Sequence, residues 1–189
     1  MYYQIFRKIY RRAARKMCLD CQDFLKEGSK ILDLGCGSAI AGKEFQNFFR
    51  VKLIGLDIKD RRIEKIPFQV FDGKNLPFSE NSFDTTLINY VLHHAKDPIS
   101  LLKEAKRVSK EKIIIYEDLP EGILSKLFCK IHGVTFNYFF QKSREKINFK
   151  NSEEWKKIFD NSGLKLIFEK RISSIFNPVK KKLFILEKI

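Results

Sequence analysis

Short strand-like runs alternate with amphipathic segments along most of the chain. Continuous apolar runs that end at a carboxylate, an amide or a glycine are typical of strands buried on both faces of a parallel sheet. Between them, apolar residues recur at helical spacing in 41–50 and 99–109, and 59–65 predicts a short charged helix. The alternation predicts a single α/β domain over residues 1–189. The predicted parallel strands are 31–34, 51–56, 68–71, 82–89 and 112–116.

The end of the chain predicts one more helix and a pair of strands. Asn151 and Glu154 form a capping pattern for a helix that ends before Gly163. Residues 164–171 and 181–189 then read as two strands joined by a loop. We expect these strands to pair in hairpin order, so that the sheet has an antiparallel terminal strand.

Residues 1–28 predict one basic amphipathic helix. Apolar residues, among them Ile5, Ile9 and Met17, recur on one face, and arginines and lysines recur on the other. Such a helix packs its apolar face on its own domain, lies on an anionic membrane or binds nucleic acid. The sequence leaves these three alternatives open.

The chain is strongly basic. It has 37 lysine and arginine residues against 23 aspartate and glutamate residues, a formal charge of +14. This charge favours contact with the phosphates of nucleic acid or with anionic lipid head groups, although solubility alone is another explanation. No signal peptide is evident, and no apolar run reaches the roughly 18 residues of a membrane span. We therefore expect a cytoplasmic protein without a transmembrane segment.

The four cysteines do not indicate a disulfide framework or a metal site. They are too few and too scattered to crosslink a domain of this size, which favours a reducing compartment. Cys18 and Cys21 form a single CxxC motif that no second pair completes to four zinc ligands. We therefore expect no metal.

A glycine-rich turn follows the first predicted strand. Gly35 and Gly37 allow the backbone to turn sharply and to approach a bound molecule, with the carboxylate of Asp33 beside them. Asp57 ends the next strand, where Rossmann-like sheets present an acid to ribose hydroxyls. Ile40 stands where a dinucleotide-binding fingerprint needs a small residue, so the pattern does not favour a nicotinamide cofactor.

The turn and the two segments that follow it resemble a known family. In order along the chain they read DLGCG, LIGLDI and FDGKNLPFSENSFDTTLINYVLHHAKDP. Together they are similar to the class I S-adenosylmethionine-dependent methyltransferases, in the group called methyltransferase type 11. The resemblance implies a Rossmann-like three-layer α/β/α sandwich with a seven-stranded, mostly parallel sheet and an antiparallel terminal strand. It also implies S-adenosyl-L-methionine as the cofactor.

The same resemblance implies which residues hold the cofactor. The backbone at Gly35 and Gly37 would hold its methionine end, and Asp33 would orient the loop or the ammonium group. Asp72 would accept the adenine amine, although Asp72 and Gly73 also form a good turn pair. The implied cofactor-binding set is Asp33, Gly35, Cys36, Gly37, Asp57, Ile58, Asp72, Gly73, Asn89 and Tyr90.

His93 and His94 are the candidate catalytic residues. Histidine can remove a proton near neutral pH, so either could act as a general base toward the methyl acceptor. A structural or substrate-positioning role is the alternative, because the family often has this pair whatever its substrate.

Residues 122–148 predict a helical, partly aromatic cover over the pocket. Its many leucines and phenylalanines favour an apolar acceptor, although a helix buried on the sheet is the alternative. We expect a methyltransferase acting on a small organic or lipid-like acceptor. The alternatives are an RNA methyltransferase, which the charge favours, and a non-catalytic S-adenosylmethionine-binding regulatory protein.

Overall fold

The computed structural model describes residues 2–136, 147–172 and 178–189. The helices are α1 (Tyr2–Ile5), α2 (Arg7–Asp20), α3 (Ile40–Phe49), α4 (Pro98–Val108), α5 (Ile123–Phe136) and α6 (Ser152–Asn161), with a 3-10 turn at Leu92–His94. The strands are β1 (Lys30–Leu34), β2 (Lys52–Asp57), β3 (Phe68–Val70), β4 (Phe83–Asn89), β5 (Ser109–Leu119), β6 (Leu164–Ile172) and β7 (Lys180–Lys188).

The strands form one sheet in the order β3-β2-β1-β4-β5-β7-β6. The first five strands pair in parallel, and β7 runs antiparallel to both β5 and β6. The predicted Rossmann-like sheet with an antiparallel strand near its end is thereby confirmed. The strand order reverses between β1 and β4, and in open α/β sheets ligands bind outside the carboxyl ends of the strands at such a reversal.

Both faces of the sheet are covered by hydrophobic core. On β5, Ile113 and Ile115 belong to one buried cluster, and Ile114 and Tyr116 belong to the other. Successive side chains of a strand point to opposite faces, so the two clusters lie on opposite sides of the sheet. This double burial explains why the strands read as continuous apolar runs rather than as alternating ones.

The N-terminal segment is less regular than predicted. Residues 1–28 were expected to form one helix, but α1 is interrupted at Phe6 and α2 ends at Asp20. The second half of α2 packs on the domain, where Ala14 and Cys18 are buried. Its first half keeps Ile9 largely exposed. Packing against the domain therefore buries only part of the apolar face of α2.

Residues 59–65 do not form the predicted helix. Asp60 accepts hydrogen bonds from both the backbone N–H and the guanidinium of Arg62. Arg62 also donates to the carbonyl of Ile66, and it lies over the ring of Phe68. An aspartate that bonds nearby N–H groups offers the backbone an alternative to a helix, which is why the charge pattern was misleading here.

The predicted helix cap near the end of the chain is confirmed. The Asn151 side chain accepts the N–H of Glu154, and the Glu154 side chain accepts the N–H of Asn151. Residues 123–136 of the predicted cover form α5, and residues 137–146 lie outside the described residues. Among the helices that are described, none is long and apolar enough to cross a membrane.

Candidate functional site

Four polar side chains lie at or near the carboxyl ends of the central strands. Asp57 ends β2 and Asn89 ends β4, while Asp33 and Glu117 lie close to the ends of β1 and β5. The carboxyl ends of parallel strands meet at one edge of a sheet, so these groups share that edge. The structure therefore brings to one edge Asp33, Asp57 and Asn89, which the sequence analysis singled out in separate segments.

The turn after β1 is fastened to the end of β2. The Gly35 N–H donates to the Leu56 carbonyl at 2.7 Å, and the Gly37 N–H donates to Asp57 Oδ2 at 2.9 Å. Gly35 has a φ of +74°, and a Cβ there would clash with a methyl group of Val91. Only glycine fits this position.

Gly37 faces open space. Its φ is +50°, and a Cβ built on it meets no atom within 4 Å. The turn thus leaves room for a ligand above Gly37, as expected for a loop that approaches a cofactor with its backbone. Ala39 also adopts a positive φ of 62° at the start of α3.

Asp33 is a buried carboxyl group that the described residues leave incompletely satisfied. Its Oδ1 is buried and has no hydrogen-bond partner among them. Burial raises the pKa of Asp33 to about 7, with a smaller contribution from the nearby negative charge of Asp57. A cationic group bound here would reverse that shift. The predicted contact of Asp33 with the ammonium group of S-adenosylmethionine stays a prediction.

Asn89 and Tyr90 follow at the end of β4. Both polar atoms of the Asn89 side chain are buried without a partner among the described residues. Tyr90 has a φ of 58°, which is unusual for a residue with a side chain, and its N–H donates to the Tyr116 carbonyl at 2.8 Å. Lys181 lies over the Tyr90 ring, with Nζ 4.3 Å from the centroid. The unpaired amide of Asn89 is a second group available to a ligand.

Asp72 and Gly73 lie in a local turn. Asp72 is exposed, and its Oδ1 accepts the N–H groups of Lys74 and Asn75, which lowers the pKa of this carboxyl. A Cβ on Gly73 would lie 3.3 Å from Ile58, so the loops that begin after β2 and β3 lie close together. The predicted adenine contact of Asp72 stays a prediction, as do the predicted contacts of Cys36, Ile58 and Gly73.

His93, one of the two candidate catalytic histidines, is held by Glu117, which the sequence alone does not distinguish from a solvated loop acid. His93 is fully buried, and its Nδ1 lies 2.5 Å from Oε2 of Glu117. The other oxygen of Glu117 accepts the Leu92 N–H at 2.9 Å. Glu117 is itself fully buried. Burial lowers the pKa of His94 to about 2, and the neighbouring His93 and His132 act in the same direction.

His132 also joins this group, which was not predicted from the sequence. It projects from α5, and its Nε2 lies 3.4 Å from Nε2 of His94. Burial lowers the pKa of His132 as well. The one sequence signal for its involvement is that it is the third of only three histidines in the chain.

The two N-terminal cysteines have a structural environment. Both are buried, and Cys21 Sγ lies 3.2 Å from the Tyr116 hydroxyl, which donates to the Met17 carbonyl at 3.1 Å. Burial raises the pKa of Cys18 and Cys21 to about 12. These contacts fix the end of α2 against the sheet.

The open space above Gly37 gives a testable prediction. Gly37→Ala is expected to weaken S-adenosylmethionine binding by at least about tenfold, because a methyl group enters the space in which the ligand is expected. Isothermal titration calorimetry of the variant measures this change.

Gly28→Ala provides the matched control. Gly28 also has a positive φ, and a Cβ added to it would meet no atom within 4 Å, but its N–H bonds the Arg50 carbonyl, away from the turn. Both variants should lose about 1 kcal/mol of stability from backbone strain. Equal cofactor affinity of the two variants would contradict the assignment of Gly37.

Sequence comparison relates most of the chain to one protein family. Residues 4–168 match the family model described as a methyltransferase domain. The demethylmenaquinone methyltransferase of Staphylococcus epidermidis RP62A is 30% identical in an alignment 168 residues long, which covers 74% of this chain and 69% of that enzyme. The enzyme of the same name from Paenarthrobacter aurescens TC1 is 32% identical over 52% of this chain, but the match spans only 41% of that enzyme.

Structural comparison finds the same fold. A protein of Pyrococcus horikoshii OT3 superposes with a TM-score of 0.73 and 17% identity, over 100% of this chain and 98% of the other. Magnesium protoporphyrin IX methyltransferase from Synechocystis PCC 6803, crystallised with bound SAH, gives a TM-score of 0.71 and 14% identity, over 95% and 84% of the two chains. At these identities the likeness concerns the fold alone.

Proposed function

We propose that this chain, which belongs to the class I S-adenosylmethionine-dependent methyltransferases, methylates a small lipid-like acceptor with a quinol-type ring. The observation that carries the acceptor class is the exposed apolar face of α5. The names of the matching relatives, which refer to a demethylmenaquinone acceptor, support the same class.

The helix α5 is anchored by one face and apolar on the other. On its inner face Ser125 donates to the Leu119 carbonyl, Cys129 is buried and His132 contacts His94. Its outer face has large apolar side chains at helical spacing, and contiguous exposed apolar surface of this kind marks binding or membrane contact. The exposed set is Ile123, Leu124, Leu127, Phe128, Ile131 and Val134.

Charge on the same helix supports contact with a lipid surface. Lys126 and Lys130 of α5 are exposed among these apolar residues. A helix that combines apolar side chains with lysines is attracted to anionic head groups, and each cation near such a surface contributes about 1 kcal/mol. An acceptor dissolved in the bilayer would then reach the site from beneath α5.

The chain's own residues would bind and orient the two substrates. When bound, S-adenosylmethionine supplies a methyl group on a sulfonium, which is activated for in-line displacement. Asp33 would pair with its ammonium group and Asp57 with its ribose hydroxyls, which leaves the acceptor to the side of His93 and His94. The catalytic roles of the two histidines remain predictions, and the proposed function does not require either to remove a proton.

The direct test is methyl transfer in vesicles. Purified protein is incubated with methyl-labelled S-adenosylmethionine and anionic phospholipid vesicles that contain a demethylated naphthoquinol, and we expect label in the extracted quinone. Label that enters only added bulk RNA would instead support the RNA alternative, which the formal charge of +14 favours. Cofactor binding without transfer to either acceptor would support the non-catalytic alternative.

Leu127→Glu is expected to lower vesicle binding and quinol methylation by at least about fivefold, because a negative charge then interrupts the apolar face of α5 and is repelled by the anionic head groups. Leu19→Glu is the matched control, since Leu19 on α2 is 52% exposed and Leu127 is 51% exposed. Vesicle co-sedimentation and turnover are measured for both variants. Equal losses would place lipid contact elsewhere than on α5.

A further inference from the structure

We propose that His93, His94 and His132 bind one divalent transition-metal ion of the zinc type. The proposal goes beyond methyl transfer and does not depend on which acceptor is methylated. These residues are the chain's only histidines. The fold brings all three together, since His93 and His94 occupy the 3-10 turn after β4 and His132 lies on α5.

The ligand nitrogens of the three side chains are almost as close together as the ligands of one shared metal ion. One ligand nitrogen of each histidine lies within 4.8 Å of those of the other two. The Nε2 atoms of His94 and His132 are 3.4 Å apart. Two nitrogens bound to zinc at about 2.0–2.1 Å with a tetrahedral angle are separated by roughly 3.4 Å. This pair therefore already has ligand spacing, and the ligand nitrogen of His93 lies within 4.8 Å of both.

Glu117 prepares His93 to act as a ligand. A carboxylate can only accept, so the His93 nitrogen that lies 2.5 Å from it, Nδ1, carries the proton and donates. Nε2 then presents its lone pair, and it is buried without a partner among the described residues. Glu117 is itself held by the Leu92 N–H. A buried carboxylate behind a histidine is the usual outer-sphere partner of a metal-binding imidazole.

A packed cluster of aromatic rings is the competing explanation. His93 stacks on Phe149 with the ring centroids 4.8 Å apart and the planes 17° from parallel, and it lies 4.0 Å from the His94 ring. Ring packing with a hydrogen bond between His94 and His132 accounts for the short distances without a metal. The two explanations differ in their consequence, because ring packing confers no affinity for metal ions.

Metal titration of the full chain distinguishes the two. The protein is first treated with a chelator, and the chelator is then removed. The metal-free protein is titrated with Zn²⁺, followed by calorimetry, and with Co²⁺, followed by absorbance. We expect one equivalent of either ion, visible bands of tetrahedral cobalt, and a rise in Tm with added Zn²⁺. His94→Gln and His132→Gln should each weaken Zn²⁺ binding by more than about 100-fold, and Glu117→Gln by about 10- to 100-fold.

Cys129→Ser is the matched control on the same helix, because Cys129 lies one turn before His132 and offers the other common zinc ligand. It should retain full Zn²⁺ affinity, and the glutamine variants should retain S-adenosylmethionine affinity, which shows that they are folded. The proposal is overturned if neither ion binds, if binding survives in both His94→Gln and His132→Gln, or if it is lost in Cys129→Ser.

Discussion

Asp57→Ala is expected to weaken S-adenosylmethionine binding by about 100-fold or more. The carboxylate lies at the end of β2, where it would accept both ribose hydroxyls, and hydrogen bonds to a charged group contribute about 1.5–3 kcal/mol each. The same carboxylate accepts the Gly37 N–H at 2.9 Å. Its removal therefore also releases the turn. A loss of about 3 kcal/mol corresponds to roughly 100-fold in Kd, measured by calorimetry.

Asp84→Ala is the control for this prediction. Asp84 Oδ2 accepts a backbone N–H in the same manner, from Lys30 at 2.7 Å, but at the opposite, amino-terminal edge of the sheet. Both variants should lose stability, and only Asp57→Ala should lose cofactor affinity. Asp57→Asn separates the two roles of Asp57, since an amide oxygen still accepts from Gly37 but carries no charge. An unchanged Kd in Asp57→Ala would refute the ribose assignment.

The sheet and its ligand-binding edge were predictable from the sequence for a local reason. Each parallel strand is buried on both faces, so its apolar run is continuous and ends at a recognisable residue, as at Asp57 and Asn89. The turn after β1 was predictable because its positive φ angles require residues such as Gly35 and Gly37. In both cases the signal lies within a few residues of the feature that it predicts.

The histidine cluster was not predictable, because it depends on contacts between distant segments. Glu117 reads as an ordinary loop acid until β5 places it against His93, 24 residues away in the sequence. His132 reads as one polar residue of a helix until α5 folds back on the 3-10 turn. The break of the N-terminal helix at Phe6 was not predicted either. In the structure α2 is tied to the domain by ion pairs with distant segments, such as Arg11 with Glu44.

The pKa of Asp33 predicts a large and unusual dependence of stability on pH. Its folded-state pKa is raised to about 7 by burial, from an ordinary value of 3.8. Between these two pH values the unfolded chain has lost the proton while the folded protein retains it. The contribution of Asp33 to the free energy of unfolding therefore falls as pH rises from about 4 to about 7. A shift of about three pKa units corresponds to a fall on the order of 4 kcal/mol.

Asp33→Asn isolates this effect, because the amide has a similar shape and does not ionise. The difference in unfolding free energy between wild type and Asp33→Asn, from urea denaturation at several pH values, should fall over this range. Asp84→Asn should show no such fall between pH 4 and 7, since hydrogen bonds from Lys30 and Lys110 lower the pKa of Asp84 from its ordinary value of 3.8 and its contribution is lost only as pH falls below about 4. A difference for Asp33→Asn that stays constant between pH 4 and 7 would show that Asp33 ionises normally.

The cofactor should reverse the preference of Asp33 for its proton. S-adenosylhomocysteine has the same ammonium group without the reactive methyl, and its binding favours the ionised carboxylate. Its affinity for the wild type should therefore rise by about tenfold per pH unit below pH 7 and level off above it. Asp33→Asn should bind more weakly at pH 7 and show little of this dependence. A pH-independent Kd in the wild type would mean that the ammonium group binds elsewhere, whereas a parallel slope in both proteins would assign the titration to another group.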